Sequence, residues 1–171
     1  MPRVSVIVAT YRREQELKRA LESLKEQQFK DFETIIVDDN ADLEFNNKVS
    51  AIVGAFKEEN PQMAVTLITN PKNMGSAETR NIGIRASAGE YITFLDDDDV
   101  YLPEKIKNHL EFTEKGGYDY SLTDLDLYNE KGVLIRKRVR GFIKDTSYEA
   151  LLKYHLMYHL TGTDAMMFKK D

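Results

Sequence analysis

The chain has 171 residues, of which 42% are hydrophobic and 31% charged, with a formal net charge of -5. This balance suits one globular domain with a sizeable core, and the acidic charge gives no global sign of a nucleic-acid or membrane partner. The absence of cysteine excludes disulfides and thiolate zinc sites, and no run approaches the ~20 apolar residues of a membrane span. With a strand predicted from residue 4, we expect no signal peptide and a cytoplasmic protein.

The first 123 residues predict strands that alternate with helices. Residues 4–9 form a mostly apolar run rich in β-branched residues, which is typical of a strand covered on both faces. Leu17, Leu21 and Leu24 recur at helical spacing within residues 14–27. Further strands are predicted at 33–37, 64–69, 91–95 and 118–123, and the helices between them include 76–88, closed by Gly89. This alternation predicts parallel pairing and right-handed crossovers.

The pattern changes after Asp124. Residues 125–128 and 133–138 predict an antiparallel hairpin, followed by a short helix at 147–156 and a last strand at 165–168. The predicted fold class is therefore α/β, with a mostly parallel sheet flanked by helices and an antiparallel hairpin near the C-terminus.

Polar clusters follow three of the predicted strands. They are Thr10-Tyr11, Asp38-Asp39 and the run of four carboxylates from Asp96 to Asp99. In a doubly wound sheet the carboxyl ends of the strands converge on one crevice. Tyr11 can stack on a base and Asp39 can accept a base N–H, although a surface aromatic and a loop or cap explain these residues taken singly.

The acidic run at residues 96–99 directly follows a strand that is predicted to be buried. Four adjacent anions repel one another, and carboxylates favour hard divalent cations such as Mg²⁺ or Mn²⁺, often shared with a substrate phosphate. The sequence therefore predicts a metal site here, with a solvated acidic turn as the alternative.

Arg80 lies in the predicted helix that leads into the acidic strand. It can pair with a carboxylate of the acidic run or with a diphosphate, although a surface arginine explains it equally well. No phosphate loop of the GxxxxGK[ST] type occurs in the chain. His155 and His159, four residues apart, could bind a metal, but a half-buried helix face explains the pair too.

Four motifs in register resemble one family. They are VSVIVATY at 4–11, IVDD at 36–39, NMG with TRNIG at 73–75 and 79–83, and FLDDDD at 94–99. Together they resemble the family 2 nucleotide-sugar glycosyltransferases of the GT-A fold, over residues 3–125.

The resemblance implies an inverting enzyme that uses a nucleoside-diphosphate sugar and Mn²⁺ or Mg²⁺. By position, Thr10, Tyr11 and Asp39 would contact the nucleoside, and Arg80 would lie near the diphosphate. Residues 96–98 would form the DxD element, with Asp96 and Asp97 at the nucleotide sugar and Asp98 as the metal ligand.

The resemblance also implies partners and a place in metabolism. The donor would be a UDP-, dTDP- or GDP-sugar, and the acceptor a saccharide or a lipid-linked molecule in cell-surface polysaccharide biosynthesis. The protein would be cytoplasmic, either free or peripheral to the inner face of the membrane. An open sheet edge would invite association into a homo-oligomer.

The chain departs from the family in the catalytic base. That base usually belongs to an acidic pair after a segment like residues 161–170, and no counterpart is present. Asp124 and Asp164 are weak candidates, and Asp126 is a weaker one. We therefore expect a single domain, truncated at its C-terminus, with a nucleotide-sugar-binding part at 1–125 and the start of an acceptor part at 126–171.

Three other functions compete with this hypothesis. A domain that binds nucleotide sugars without transferring them remains open because the base is missing. Asp96-x-Asp98-x-Val100 also fits the DxDx[TV] signature of haloacid-dehalogenase-type phosphohydrolases, in which the first Asp is a nucleophile. A receiver-like signalling module would need its acidic pair after the first strand, which this chain lacks.

Overall fold

The computed structural model describes residues 1–129, 131–139, 141, 143–145, 147–158 and 162–170. The helices are α1 Glu14–Lys25, α2 Leu43–Glu59, α3 Ser76–Ala86, α4 Lys105–Gly116 and α5 Tyr148–Tyr158. The strands are β1 Val4–Thr10, β2 Phe32–Asp38, β3 Ala64–Thr69, β4 Tyr91–Phe94, β5 Tyr120–Leu122, β6 Leu125–Tyr128, β7 Leu134–Arg138 and β8 Met166–Lys169. The α/β class and the order of elements predicted from the sequence are confirmed.

The main sheet has six strands in the order β3-β2-β1-β4-β8-β5. β1 pairs in parallel with β2 and with β4, and β2 pairs in parallel with β3, as the alternation of strands and helices predicted. The prediction of parallel pairing was wrong for β5, because β8 lies between β4 and β5 and is antiparallel to both. The last strand of the chain thus joins the middle of the sheet, where it supplies both neighbours with backbone hydrogen bonds.

Two hydrophobic clusters cover opposite faces of this sheet. Val4, Val6 and Val8 of β1 belong to the larger cluster, together with leucines of α1. Ile7 belongs to the smaller cluster, in which Ile84 of α3 packs. Successive side chains of a strand point to opposite faces, so this assignment follows from the continuous apolar run of β1.

The sequence predicted that Gly89 closes the helix before it, and this prediction was wrong. α3 ends at Ala86, and its C-cap Ser87 is extended, with φ -69° and ψ 143°. A Cβ at position 89 would lie 2.6 Å from the backbone N of Ser5. The glycine is needed because the chain passes close to β1 here, rather than for a left-handed turn.

The predicted hairpin is present as β6 and β7, which form a two-stranded sheet of their own. The helix predicted after it is α5. Across the described part of the chain, no helix combines the length and apolar character that crossing a membrane requires.

Candidate functional site

A crevice of about 440 Å³ lies at the carboxyl ends of β1, β2 and β4, beside the start of α3. Parallel strands end at the same edge of a sheet, which is why their polar termini meet here. All seven residues predicted for the nucleotide sugar and the metal line this crevice, namely Thr10, Tyr11, Asp39, Arg80, Asp96, Asp97 and Asp98.

Asp39 fixes the turn that begins α3. Its side-chain oxygens accept hydrogen bonds from the backbone N–H of Met74 at 2.8 Å, from that of Gly75 at 3.0 Å, and from Nδ2 of Asn70 at 2.8 Å. Gly75 adopts φ +78°, which other residues rarely adopt. Asp39 therefore ties the end of β2 to the NMG turn, and its carboxylate is only 4% exposed.

Asp38, next to it, faces inward rather than into the crevice. It is fully buried, and its Oδ1 accepts hydrogen bonds from Asn40 through the backbone N–H at 3.0 Å and Nδ2 at 2.7 Å. Burial raises the pKa of Asp38, while these two hydrogen bonds oppose the rise. Asn40 Oδ1 in turn accepts from the backbone N–H of Arg12 at 2.7 Å, so the turns after β1 and β2 are linked.

Asp97 and Asp98 both pair with Arg13, a residue that the sequence analysis did not single out. Arg13 Nη1 donates to Asp97 Oδ1 at 3.1 Å and lies 2.6 Å from Asp98 Oδ2. Asp97 also accepts from the backbone N–H of Tyr11 at 3.3 Å. Burial raises the pKa of the Asp97 carboxyl, and the Arg13 side chain counteracts this.

Arg80 reaches the acidic run, as one of the two hypotheses for it predicted. Its Nη2 donates to Asp96 Oδ1 at 2.5 Å. Thr163 donates from Oγ1 to both oxygens of Asp96, at 3.2 and 3.1 Å. Asp96 is thus held from both sides, by α3 and by the 3₁₀ turn Thr163–Ala165 that precedes β8.

A second group of carboxylates forms beside the crevice. Oxygens of Asp96, Asp99 and Asp164 all lie within 4.8 Å of one another. Burial is the main reason that the pKa of Asp99 is raised to about 7, and the charges of Asp164, Asp98 and Asp96 add to the rise. Burial and the charge of Asp96 raise the pKa of Asp164 as well. Like charges at this distance disfavour joint ionisation, and a divalent cation would relieve the repulsion.

Lys105 lies behind this group. Its ammonium donates to Thr93 Oγ1 at 2.9 Å and lies 4.1 Å from the centre of the Tyr101 ring. Burial lowers the pKa of Lys105 to about 7, and only the charge of Asp164 opposes this. Lys105 therefore loses its proton more readily than an exposed lysine would.

The candidates for the catalytic base are spread out. Asp164 belongs to the carboxylate group just described, Asp124 lies between β5 and β6, and Asp126 on β6 pairs with Lys137 at 3.5 Å. None of the three is among the described residues that line the crevice. The metal-binding pair considered in the sequence, His155 and His159, includes a residue outside the described part of the chain, His159.

Arg13 and Thr163 are side chains of the candidate site that the sequence analysis missed. Arg13 had a signal, since it is the last residue of the polar turn Thr10-Tyr11-Arg12-Arg13 at a strand end. Thr163 had none, because its contact with Asp96 depends on the position of β8 in the sheet.

The family model for glycosyl transferase family 2 matches residues 5–171. An uncharacterized glycosyltransferase of Haemophilus influenzae is 38% identical over 171 residues, which cover 98% of this chain and 53% of that protein. WfaP of Escherichia coli, named a UDP-Glc:alpha-D-GlcNAc-diphosphoundecaprenol beta-1,3-glucosyltransferase, is 32% identical over 156 residues, covering 90% of this chain and 57% of that protein. The chain thus spans about half the length of these relatives.

The crystal structure of S. aureus TarS 1-349 in complex with UDP is similar in fold. Its TM-score is 0.72 at 26% identity, and the match covers 99% of this chain and 47% of the other. The GT-A architecture implied by the sequence motifs is therefore confirmed. With a family model matched along almost the whole chain, and with these relatives, the chain belongs to glycosyl transferase family 2.

Proposed function

We propose that this chain binds the donor of an inverting glycosyltransferase, which moves a sugar from a UDP-sugar to an acceptor hydroxyl with the help of a divalent cation. The observation that carries the proposal is the crevice, where Tyr11 and Asp39, which could bind a nucleoside, lie near a group of carboxylates. The alternative of a phosphohydrolase finds no support among the relatives reported above.

Residues at the ends of β1 and β2 would bind the nucleoside. Tyr11 is 44% exposed at the crevice, so its ring is available for stacking on a base. Among the described residues, only the Gly75 N–H donates to Asp39 Oδ2, which leaves that oxygen a further acceptor position. The UDP bound to TarS and the UDP-Glc in the name of WfaP support UDP over GDP and dTDP.

The residues present fit a hard divalent cation. Three carboxylates offer only oxygen atoms within 4.8 Å of one another. Burial, together with the charges of neighbouring carboxylates, raises the pKa of Asp99 and of Asp164. Asp96, Asp99 and Asp164 would hold the ion, and Asp98 would join them on leaving Arg13. When bound, Mn²⁺ or Mg²⁺ would neutralise the charge that develops on the leaving diphosphate.

Arg13 and Arg80 would position the diphosphate. Both line the crevice, and both now neutralise carboxylates of residues 96–98. Guanidinium groups bind phosphate oxygens in the same forked geometry as carboxylates, so each side chain can exchange one partner for the other.

The name of WfaP supports a lipid-linked saccharide as acceptor. Asp164 suits the cation better than the base, because Asp96 and Asp99 surround it. We therefore propose that residues 126–171 only begin the acceptor part, and that the base belongs to a longer version of the protein. A missing base would slow transfer by about 10²–10⁴-fold, so comparing the turnover of the two forms tests this.

Calorimetry of nucleotide binding tests the donor and the cation together. UDP, GDP and dTDP are titrated into the protein with Mn²⁺ and with a chelator. We expect UDP to bind most tightly and to lose at least about tenfold in affinity with the chelator, since anion would then face anion. Equal affinity in both conditions would remove the cation from the proposal, and no UDP binding would remove the donor.

Single substitutions assign the roles. Asp39→Ala should weaken UDP binding by about tenfold or more through the loss of a hydrogen bond that involves a charge. Asp164→Asn and Asp98→Asn should each reduce the effect of Mn²⁺ on UDP affinity. If only Asp98→Asn does so, the ion is held at Asp98 as the sequence motif implied, and Asp164 has no part in it.

A further inference from the structure

The hairpin of β6 and β7 exposes apolar side chains that nothing in the described structure covers. Val133 is 58% exposed, Ile135 66% and Tyr128 56%. The two strands pair only with each other, in a sheet separate from the main one. Exposed aliphatic side chains two positions apart around the start of β7, such as Val133 and Ile135, indicate an interaction surface.

The same segment is strongly basic. Residues 131–144 contain six lysines and arginines and no acidic residue, in a chain whose net charge is -5. Arg136 and Lys137 are exposed on β7 beside Ile135, and Lys137 pairs with Asp126 across the hairpin. The hairpin therefore carries exposed positive charge next to exposed aliphatic residues in the sequence, in a chain whose net charge is negative.

We propose that this hairpin binds the surface of an anionic lipid bilayer. Basic side chains are attracted to anionic headgroups, and aliphatic side chains between them enter the boundary of the acyl region. Nucleic acid would bind the basic side chains only, because a phosphate backbone offers no partner for exposed valine and isoleucine. A bilayer satisfies both features.

Binding of the hairpin to a bilayer would be independent of the crevice. None of the hairpin residues lines the crevice among the described residues. Vesicle binding and UDP binding can therefore fail separately when both are measured on the same protein.

Co-sedimentation with vesicles tests the hairpin. Vesicles of phosphatidylglycerol and phosphatidylcholine are compared with vesicles of phosphatidylcholine alone, at low and high salt. We expect binding to the anionic vesicles, weakening with salt as the charges are screened. Replacing Lys131, Arg136 and Arg138 by Gln should reduce the affinity at least about tenfold. Val133→Thr with Ile135→Thr, which keeps β-branched side chains, should weaken binding most at high salt.

A matched control removes the same charge elsewhere. Lys57, Lys107 and Lys115 are exposed on α2 and α4, and their replacement by Gln should change vesicle affinity less than twofold. Circular dichroism and UDP affinity should be unchanged in every variant.

Equal losses in the control and hairpin variants would overturn the proposal, as would hairpin variants that bind like the wild type. Binding to RNA but not to vesicles would assign the surface to nucleic acid. Loss of vesicle binding in a longer version of the protein would assign it to an internal interface.

Discussion

Two arginines neutralise part of the negative charge of the crevice. Arg13 is paired with Asp97 and Asp98, and Arg80 with Asp96. A divalent ion that takes Asp96 or Asp98 as a ligand, or a diphosphate that takes either arginine, must therefore replace an existing partner. Binding of either one should free groups for the other, because a carboxylate released by arginine can hold the ion and the arginine can then hold phosphate.

Arg13→Gln should raise the affinity for Mn²⁺ in the absence of nucleotide. Half-exposed ion pairs contribute about 0.2–1 kcal/mol, so the gain should be roughly 1.5- to 5-fold. Calorimetry with Mn²⁺ alone measures it. Arg12→Gln is the control, because Arg12 lies over the rings of Tyr11 and Phe45 and loses the same charge one position away. A similar rise in both variants would indicate a general effect of charge, and no rise would show that Arg13 does not compete.

At the level of elements, α3 lies against β1 at a distance set by one residue. A Cβ at Gly83 would lie 2.4 Å from Cγ2 of Ile7, which is buried in the smaller cluster. At Gly54 on α2, by contrast, a Cβ would have no heavy atom of the described structure within 4 Å. Two helical glycines thus differ in packing alone, which allows the close approach of α3 to be measured.

Gly83→Ala should destabilise the fold and Gly54→Ala should stabilise it. Alanine in a helix gains about 0.5–1 kcal/mol over glycine, and overpacking at Gly83 costs about 1–3 kcal/mol. We expect Gly54→Ala to gain the first amount and Gly83→Ala to lose about 1–2 kcal/mol net. Urea unfolding of both variants gives the values. If both proteins gained equally, α3 would lie further from β1 than described.

Elements whose signal is local could be predicted from the sequence, whereas pairings between distant segments could not. β1, β2 and β4 are largely apolar, and their carboxyl ends meet in any parallel sheet, so seven residues of the crevice, although not Arg13, could be predicted from the sequence. The insertion of β8 beside β4 joins residues more than seventy positions apart and has no local signature. Because Thr163 and Asp164 reach the acidic run only through that insertion, their part in the site could not be predicted either.

At the scale of the whole molecule, the response to pH combines groups of opposite effect. Asp97, Asp99 and Asp164 have raised pKa values, so the folded protein takes up protons on them before the unfolded chain does, and they add stability as the pH falls. His109 acts in the other direction. It is 2% exposed on α4, and burial, followed by the charge of Lys105, lowers its pKa to about 3.

Removing His109 should make the folded protein more tolerant of mild acid. Below pH 6.5, the ordinary pKa of histidine, His109 binds a proton in the unfolded chain but not in the folded protein. The free energy of unfolding therefore decreases as the pH is lowered to about 3. Between pH 7.5 and 5.5 this amounts to about 1.4 kcal/mol.

The expected result is that His109→Leu, whatever its stability at pH 7.5, loses about 1.4 kcal/mol less than the wild type over this range. Urea unfolding at both pH values gives the difference, in which the contribution of the carboxylates cancels. Lys107→Gln, an exposed position on the same helix, should follow the wild type. Parallel losses in all three proteins would mean that folded His109 is protonated near its ordinary pKa, and that the interior around α4 admits the charge.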